Sequence, residues 1–121
     1  MRERILVVED DERSRRLLVD VLAFHGYGVI AAASAEDALT LCADAQPDAA
    51  LLDIQLVGMD GFELLRRLRV RHGEMPIIAV TASAMDIDRE RILRGGFDAY
   101  VPKPVNIRQV LEILRERLTR P

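Results

Sequence analysis

Five residues of this sequence would form a reactive site if the fold brought them together. Glu9 and Asp10 come directly off an apolar run, Ile5–Val8. Asp53 ends a second apolar run, Ala49–Leu52. Thr81 ends a third, Ile77–Val80, and Lys103 follows a fourth, Ala99–Val101. Three carboxylates held side by side repel one another and are costly to desolvate, so their grouping calls for a cation. Oxygen ligands without His or Cys suit a hard ion such as Mg²⁺, which takes one or two carboxylates, keeps waters and shares a phosphate oxygen. Glu9, Asp10 and Asp53 carry −3, which Mg²⁺ and Lys103 would balance. Thr81 adds a hydroxyl. Such a constellation accepts a phosphoryl group onto a carboxylate.

Lys103 stands out in another way. Of 17 Lys and Arg residues, it is the single Lys. Chance explains that as well as need does, the need being for a compact ammonium on a flexible stem and not a planar fork. Asp11 and Glu12 read as a cap and a first-turn charge for the helix that follows.

The elements that must position these groups show in the hydrophobic texture. Short aliphatic runs at Ile5–Val8, Val29–Ala32, Ala49–Leu52, Ile77–Val80 and Ala99–Val101 predict strands. Between them, helical spacing runs over roughly Glu12–His25, Ala35–Ala45, Gly61–His72, Ala84–Arg94 and Val105–Leu118. Ser34 with Asp37 marks a helix start. His25-Gly26 and His72-Gly73 mark helix ends, with the imidazole placed favourably at the dipole, and Gly95-Gly96 closes the fourth helix. Strand–helix alternation implies a parallel sheet covered on both faces, an open doubly wound α/β fold, since a closed eight-strand barrel needs twice the length. All strand C-termini then share one edge, where sheets of this kind bind ligands. The bland end of the second strand, Ala32-Ala33-Ser34, suits an edge strand.

Composition narrows the function classes. With 121 residues, half of them hydrophobic, the chain makes one domain, 1–121, with a packed core. A net charge of −3 gives no general pull toward nucleic acid or anionic lipid. No run approaches the ~18 apolar residues of a membrane span, and no signal peptide is visible, so a cytoplasmic protein is expected. Cys42, the one cysteine, excludes an internal disulfide and reads as core packing. Arg66, Arg67, Arg69 and Arg71 read as a solvated helix face, and His25 and His72 are too isolated for a metal pair. The glycines form neither a dinucleotide fingerprint nor a P-loop.

The chain resembles the receiver domain of two-component response regulators over its whole length. The resemblance rests on Ile5-Leu6-Val7-Val8-Glu9-Asp10-Asp11, on Leu51-Leu52-Asp53-Ile54-Gln55-Leu56 with Gly58-Met59-Asp60-Gly61, on Val80-Thr81-Ala82, and on Lys103-Pro104. It implies a flavodoxin-like (βα)5 fold with sheet order 2-1-3-4-5. It implies Asp53 as the phosphoacceptor. Asp10, Asp53 and the backbone carbonyl of Gln55 would ligate Mg²⁺ or Mn²⁺, with Glu9 acting through a bound water. Thr81 and Lys103 would bind phosphoryl oxygens. Tyr100 matches the aromatic switch of the family, although an ordinary strand aromatic explains it too. Ala82 and Ser83 would modulate the site with Gln55, and the Lys103–Pro104 bond would be cis. Val57 stands where a Pro commonly stiffens the loop, and Pro102 restricts the last strand's exit.

The function so implied is a phosphorylation-activated switch and not a turnover enzyme. It would take its phosphoryl group from a histidine kinase or histidine phosphotransfer protein, near Arg13, Ser14, Val105 and Asn106. It would act on a downstream protein, as a monomer or a phosphorylation-dependent dimer, through a face built of the fourth helix, fifth strand and fifth helix. Between Asp86 and Arg94 only Ile87, Ile92 and Leu93 are apolar, so the fourth helix should shift most easily. The chain reads as a stand-alone receiver; one cut from a hybrid kinase or a DNA-binding regulator is the alternative. An aspartyl-phosphate phosphatase is remote, because Gln55 stands where those enzymes carry a second Asp. A flavin module would not put Glu9-Asp10-Asp11-Glu12 in its phosphate loop.

Overall fold

Five parallel strands, β1(Arg4–Val8), β2(Gly28–Ala32), β3(Ala49–Asp53), β4(Ile77–Thr81) and β5(Ala99–Pro102), form one sheet in the order β2-β1-β3-β4-β5. Five helices alternate with them: α1(Glu12–Phe24), α2(Ala35–Leu41), α3(Gly61–Arg71), α4(Asp86–Arg94) and α5(Ile107–Leu118). The computed structural model describes residues 2–56, 58–82 and 86–118, with side chains throughout except at 86–88. Val57 and Ser83, singled out from the sequence, lie outside these residues. No helix among them is long and apolar enough to cross a membrane.

The strands read as unbroken apolar runs because helices cover both faces of the sheet. Side chains still alternate. Ile5 and Val7 enter a core with Leu18, Leu22, Leu111 and Leu114 of α1 and α5. Leu6 and Val8 enter the opposite core with Ala35, Ala38, Leu64, Leu65 and Leu68 of α2 and α3. Each fully buried Leu contributes about 1.5–3 kcal/mol. The fourth helix contributes little: among its described side chains only Ile92 is buried.

Several boundaries differ from the sequence reading. The second helix ends at Leu41, not Ala45, because Cys42 turns the chain and caps it through hydrogen bonds to the carbonyls of Ala38 and Thr40. The fifth begins at Ile107, not Val105, where Asn106 Oδ1 accepts the Gln109 N–H at 3.2 Å. Pro102 belongs to the last strand, which tolerates it as an edge strand. His72 caps the end of α3 and is buried, and its Nε2 finds no hydrogen-bond partner among the described residues.

Arg69 is not part of a solvated face. Its guanidinium donates to the carbonyls of Gly73, Met75 and Gly96 and to Asp98 Oδ2 at 2.8 Å. The same Oδ2 accepts the Ile77 N–H at 2.7 Å. This hub ties the starts of β4 and β5 to the end of α3, at the edge of the sheet opposite the strand C-termini.

Gly61 fixes the other edge. A Cβ there would lie 2.7 Å from Ile54 Cα and 3.3 Å from the Asp53 carbonyl oxygen, both backbone atoms that cannot swing away. Gly61→Ala should therefore destabilise the protein by roughly 1–3 kcal/mol, the scale of overpacking a tight interior. Gly73→Ala, whose Cβ would meet Arg69 O at an ordinary 3.5 Å, should stay within about 0.5 kcal/mol of wild type. Urea denaturation midpoints of the two variants check this.

Candidate functional site

Parallel pairing carries the ends of β1, β3, β4 and β5 to one edge. Val8 lies beside Leu52, Asp53 beside Val80, and Thr81 beside Pro102. The chemical groups read from the sequence therefore meet. Asp53 is buried at the end of the central strand, 4% exposed, and Glu9 is 2% exposed. Asp10 faces solvent beside them, and Thr81 is buried at the end of β4.

Lys103 joins the two buried carboxylates. Its Nζ lies 2.8 Å from Glu9 Oε1 and 3.0 Å from Asp53 Oδ2. The strand pairing places it there, since the Lys103 N–H donates to the Thr81 carbonyl at 2.7 Å. The peptide bond to Pro104 is cis. Backbone donors hold the other carboxylate oxygens. The Gln55 N–H donates to Asp53 Oδ1 at 2.9 Å, and the Asp11 N–H to Glu9 Oε2 at 3.2 Å. Asp11 itself caps α1 by accepting the Ser14 N–H at 2.9 Å, which holds its carboxyl below the usual range.

The electrostatics follow from this crowding. Burial pushes the Glu9 carboxyl up, more than the Lys103 ammonium draws it down, and nearby Asp53 adds to the rise. Lys103 is raised as well: burial disfavours its charge, yet hydrogen bonds to Glu9 and Asp53 outweigh that. Lys103 therefore stays protonated at neutral pH.

One carboxylate oxygen each from Glu9, Asp10 and Asp53 lies within 4.8 Å of the others. This all-oxygen set, two members buried and one open to solvent, fits a hard divalent cation that keeps water ligands. Glu9 meets the Lys103 ammonium directly in this structure. Gln55, whose carbonyl was the expected ligand, anchors Asp53 through its N–H. Ala82 is exposed at the rim. Tyr100 sits half-buried on β5, with the Arg89 guanidinium 5.6 Å from its ring centre. A small groove of about 190 Å³ beside Lys103 is lined by Ser14, Leu17, Leu18, Pro104 and Val105.

Sequence reasoning missed Arg15. Its Nη1 donates to the Glu9 carbonyl at 3.0 Å, pinning the acidic loop to α1. Position six residues after Glu9 on a helix face was the only signal available, and the neighbouring Arg13 and Arg16 look the same in sequence.

A family model described as the response regulator receiver domain matches residues 5–115. The polar-differentiation response regulator DivK of Brucella ovis is 38% identical over 122 residues, covering 98% of each chain. A CheY-like receiver domain protein from Methanospirillum hungatei superposes with a TM-score of 0.89 at 37% identity, covering 98% of this chain and 94% of that one. The receiver domain of a sensor histidine kinase from Pseudomonas aeruginosa superposes at 0.88 with 31% identity, covering 99% of this chain and all of that one. That structure is described with a magnesium ion coordinated in its active-site cleft.

The raised Glu9 carboxyl has a definite consequence for stability. A group whose pKa is higher in the folded than in the unfolded state stabilises below the unfolded pKa and loses that contribution as pH rises through the folded pKa. Without divalent metal, Glu9→Gln should melt above wild type near pH 7, with the gap closing toward about pH 4, where both forms are neutral. Mg²⁺ should narrow the gap at pH 7 by raising the wild-type melting temperature more. Thermal unfolding followed by circular dichroism, with EDTA and with Mg²⁺, tests both statements.

Proposed function

Because the chain belongs to the response regulator receiver domain family, whose members are two-component signalling switches and not turnover enzymes, we propose that it accepts a phosphoryl group on Asp53. The observation that carries this reading is the Lys103 ammonium bridging Glu9 and Asp53 at the open edge of the sheet. A buried carboxylate with a cationic neighbour, in a carboxylate cluster that fits a divalent cation, is a nucleophile prepared for a phosphoryl group.

In this reading a phosphohistidine of a kinase or phosphotransfer protein docks at the groove between α1 and the loop after β5. An Asp53 carboxylate oxygen attacks phosphorus in line. The new O–P bond forms as the N–P bond to the imidazole breaks, and the ring nitrogen leaves with the electron pair. Lys103 exchanges its contact with Asp53 Oδ2 for phosphoryl oxygens, and the Gln55 N–H keeps the acceptor oriented. Asp10, Asp53 and Glu9 would hold Mg²⁺, which when bound would neutralise charge on the transferring oxygens. Thr81, next along the sheet edge, donates its hydroxyl to the phosphoryl group, and its shift draws Tyr100 inward. The fourth helix then moves, since among its described side chains only Ile92 is buried. The face of α4, β5 and α5 reports the change to a downstream protein.

Intact mass after incubation with acetyl phosphate and Mg²⁺ should show one phosphoryl adduct. Asp53→Ala and omission of Mg²⁺ should abolish it. Lys103→Ala should slow its formation by about 10–100-fold, the loss of one charge-assisted hydrogen bond. No adduct on folded wild type would overturn the assignment. With beryllofluoride bound, amides of α4 should exchange hydrogen faster than without it, and unchanged exchange there would remove α4 from the output.

A further inference from the structure

The two flanks of α4 are chemically different. Arg89 and Leu93 line the side toward Tyr100. Arg91, Arg94 and Gly95 line the other side, where an open groove of about 400 Å³ is completed by Asp60, Phe62 and Arg66 of α3 and its cap. Three guanidiniums from two helices thus share one concavity, on the flank of α4 that the phosphoryl-driven output does not use.

Two of these arginines are weakly engaged. Arg66 lies 3.5 Å from Glu63, which is also 3.6 Å from Arg67, and Arg94 lies 3.8 Å from Glu90. These exposed pairs are longer than the ~2.7–2.9 Å of a charge-assisted hydrogen bond, and pairs of this kind are worth about 0–1 kcal/mol. An anion entering the groove displaces them at little cost. Asp60, the one carboxylate of the lining, is occupied in capping α3, where its Oδ1 accepts the Glu63 N–H at 2.9 Å.

Arg91 is held differently. Its guanidinium lies over the Phe62 ring, 5.0 Å from the centroid, and Phe62 is fixed in turn by an edge-to-face contact with Phe97 at 5.4 Å. Gly95 packs so closely that a Cβ there would meet Phe62 at 2.6 Å. The ring is therefore closely flanked by Gly95 and Phe97, and the Arg91 guanidinium beside it belongs to an exposed residue that a second planar group can reach. Arginine planes are platforms for nucleobases, and their edge N–H groups match phosphate oxygens two at a time.

We propose that the α3–α4 groove binds a nucleotide carrying two or more phosphates, its base stacked on Arg91 and its phosphates met by Arg66 and Arg94. Such a ligand bridges α3 to a helix whose described side chains include one buried anchor, Ile92. The site is separate from Asp53, so its test stands or falls without the phosphoacceptor reading.

The experiment is NMR titration of the ¹⁵N-labelled full chain with GTP, ATP and tripolyphosphate, without Mg²⁺ and at constant ionic strength. Saturable shifts clustered at residues 60–66 and 91–97 are expected for a nucleoside triphosphate. Affinity should fall at least tenfold in Arg66→Gln/Arg94→Gln, both exposed positions that leave the core intact. Arg91→Gln should weaken nucleotide more than tripolyphosphate, and Arg16→Gln/Arg108→Gln should change nothing. Absence of saturation, or binding that survives Arg66→Gln/Arg94→Gln, would overturn the proposal. Tripolyphosphate binding as tightly as both nucleotides would overturn the nucleobase platform.

Discussion

The contact on which the site depends is a single ammonium placed between two buried carboxylates. Glu9 and Asp53 are both nearly inaccessible to water. Without a cation between them, one would have to take up a proton or the edge of the sheet would have to open. Lys103 meets both within 3.0 Å. An ammonium serves here because its three donors point in separate directions from one small centre, whereas a guanidinium fork is flat and matches one carboxylate at a time. That gives a physical reason for a lone Lys in a chain that otherwise uses Arg. The oxygens that Lys103 does not reach are held by backbone N–H groups of Gln55 and Asp11. Burial still leaves the Glu9 carboxyl raised despite the ammonium beside it, and the three carboxylates outnumber the one Lys103 charge. It is a place prepared for added positive charge.

Stability is distributed unevenly around this edge. At the far end of the sheet, Arg69 and Asp98 bind two loops and the start of β4 into one polar hub. Two cores lie between, each built from alternate residues of the strands. The base and middle of the molecule are thus locked by packing and charge-assisted hydrogen bonds. The strand C-termini carry the reverse: buried acids and a solvent-facing Asp10. A parallel sheet makes this separation unavoidable, because all strands begin at one end and finish at the other.

Much of this was legible in the sequence. The apolar runs located all five strands, and the acids and the Lys ending them named the cluster before any geometry was known. Sheet order came through family resemblance, and the observed β2-β1-β3-β4-β5 order agrees with it. What escaped was set by partners distant in sequence. Arg69 and Arg66 sit three residues apart on one helix and look alike, yet the first is drawn inward because the loop at Gly96–Asp98 arrives beside it. Arg15 was unreadable for the same reason. The end of α2 depended on a turn at Cys42 that no periodic pattern marks. Helical spacing shows which face is apolar; it does not show which polar residue finds a carbonyl across a loop.

The fourth helix brings these threads together. Arg89 lies over Tyr100 on one flank and Arg91 over Phe62 on the other. Two residues along a helix turn the side chain through about 200°, so one guanidinium per flank follows from the spacing alone. Exposed contacts of this type are worth about 0.5–1 kcal/mol each, less than the ~1.5–3 kcal/mol of one buried Leu. With Ile92 as its buried anchor among the described side chains, α4 rests between two aromatic surfaces and is committed strongly to neither. Its C-terminal end is tied down, because Gly96 and Asp98 just beyond it belong to the Arg69 hub. Its N-terminal end lies toward Thr81 and the charged cluster. Under the proposed function, a helix tied at its C-terminal end and lightly held by its described side chains is suited to carry a shift at Thr81 to Tyr100. That asymmetry requires no strained backbone, only that the polar hub and the acidic cluster stand at opposite ends of the same sheet.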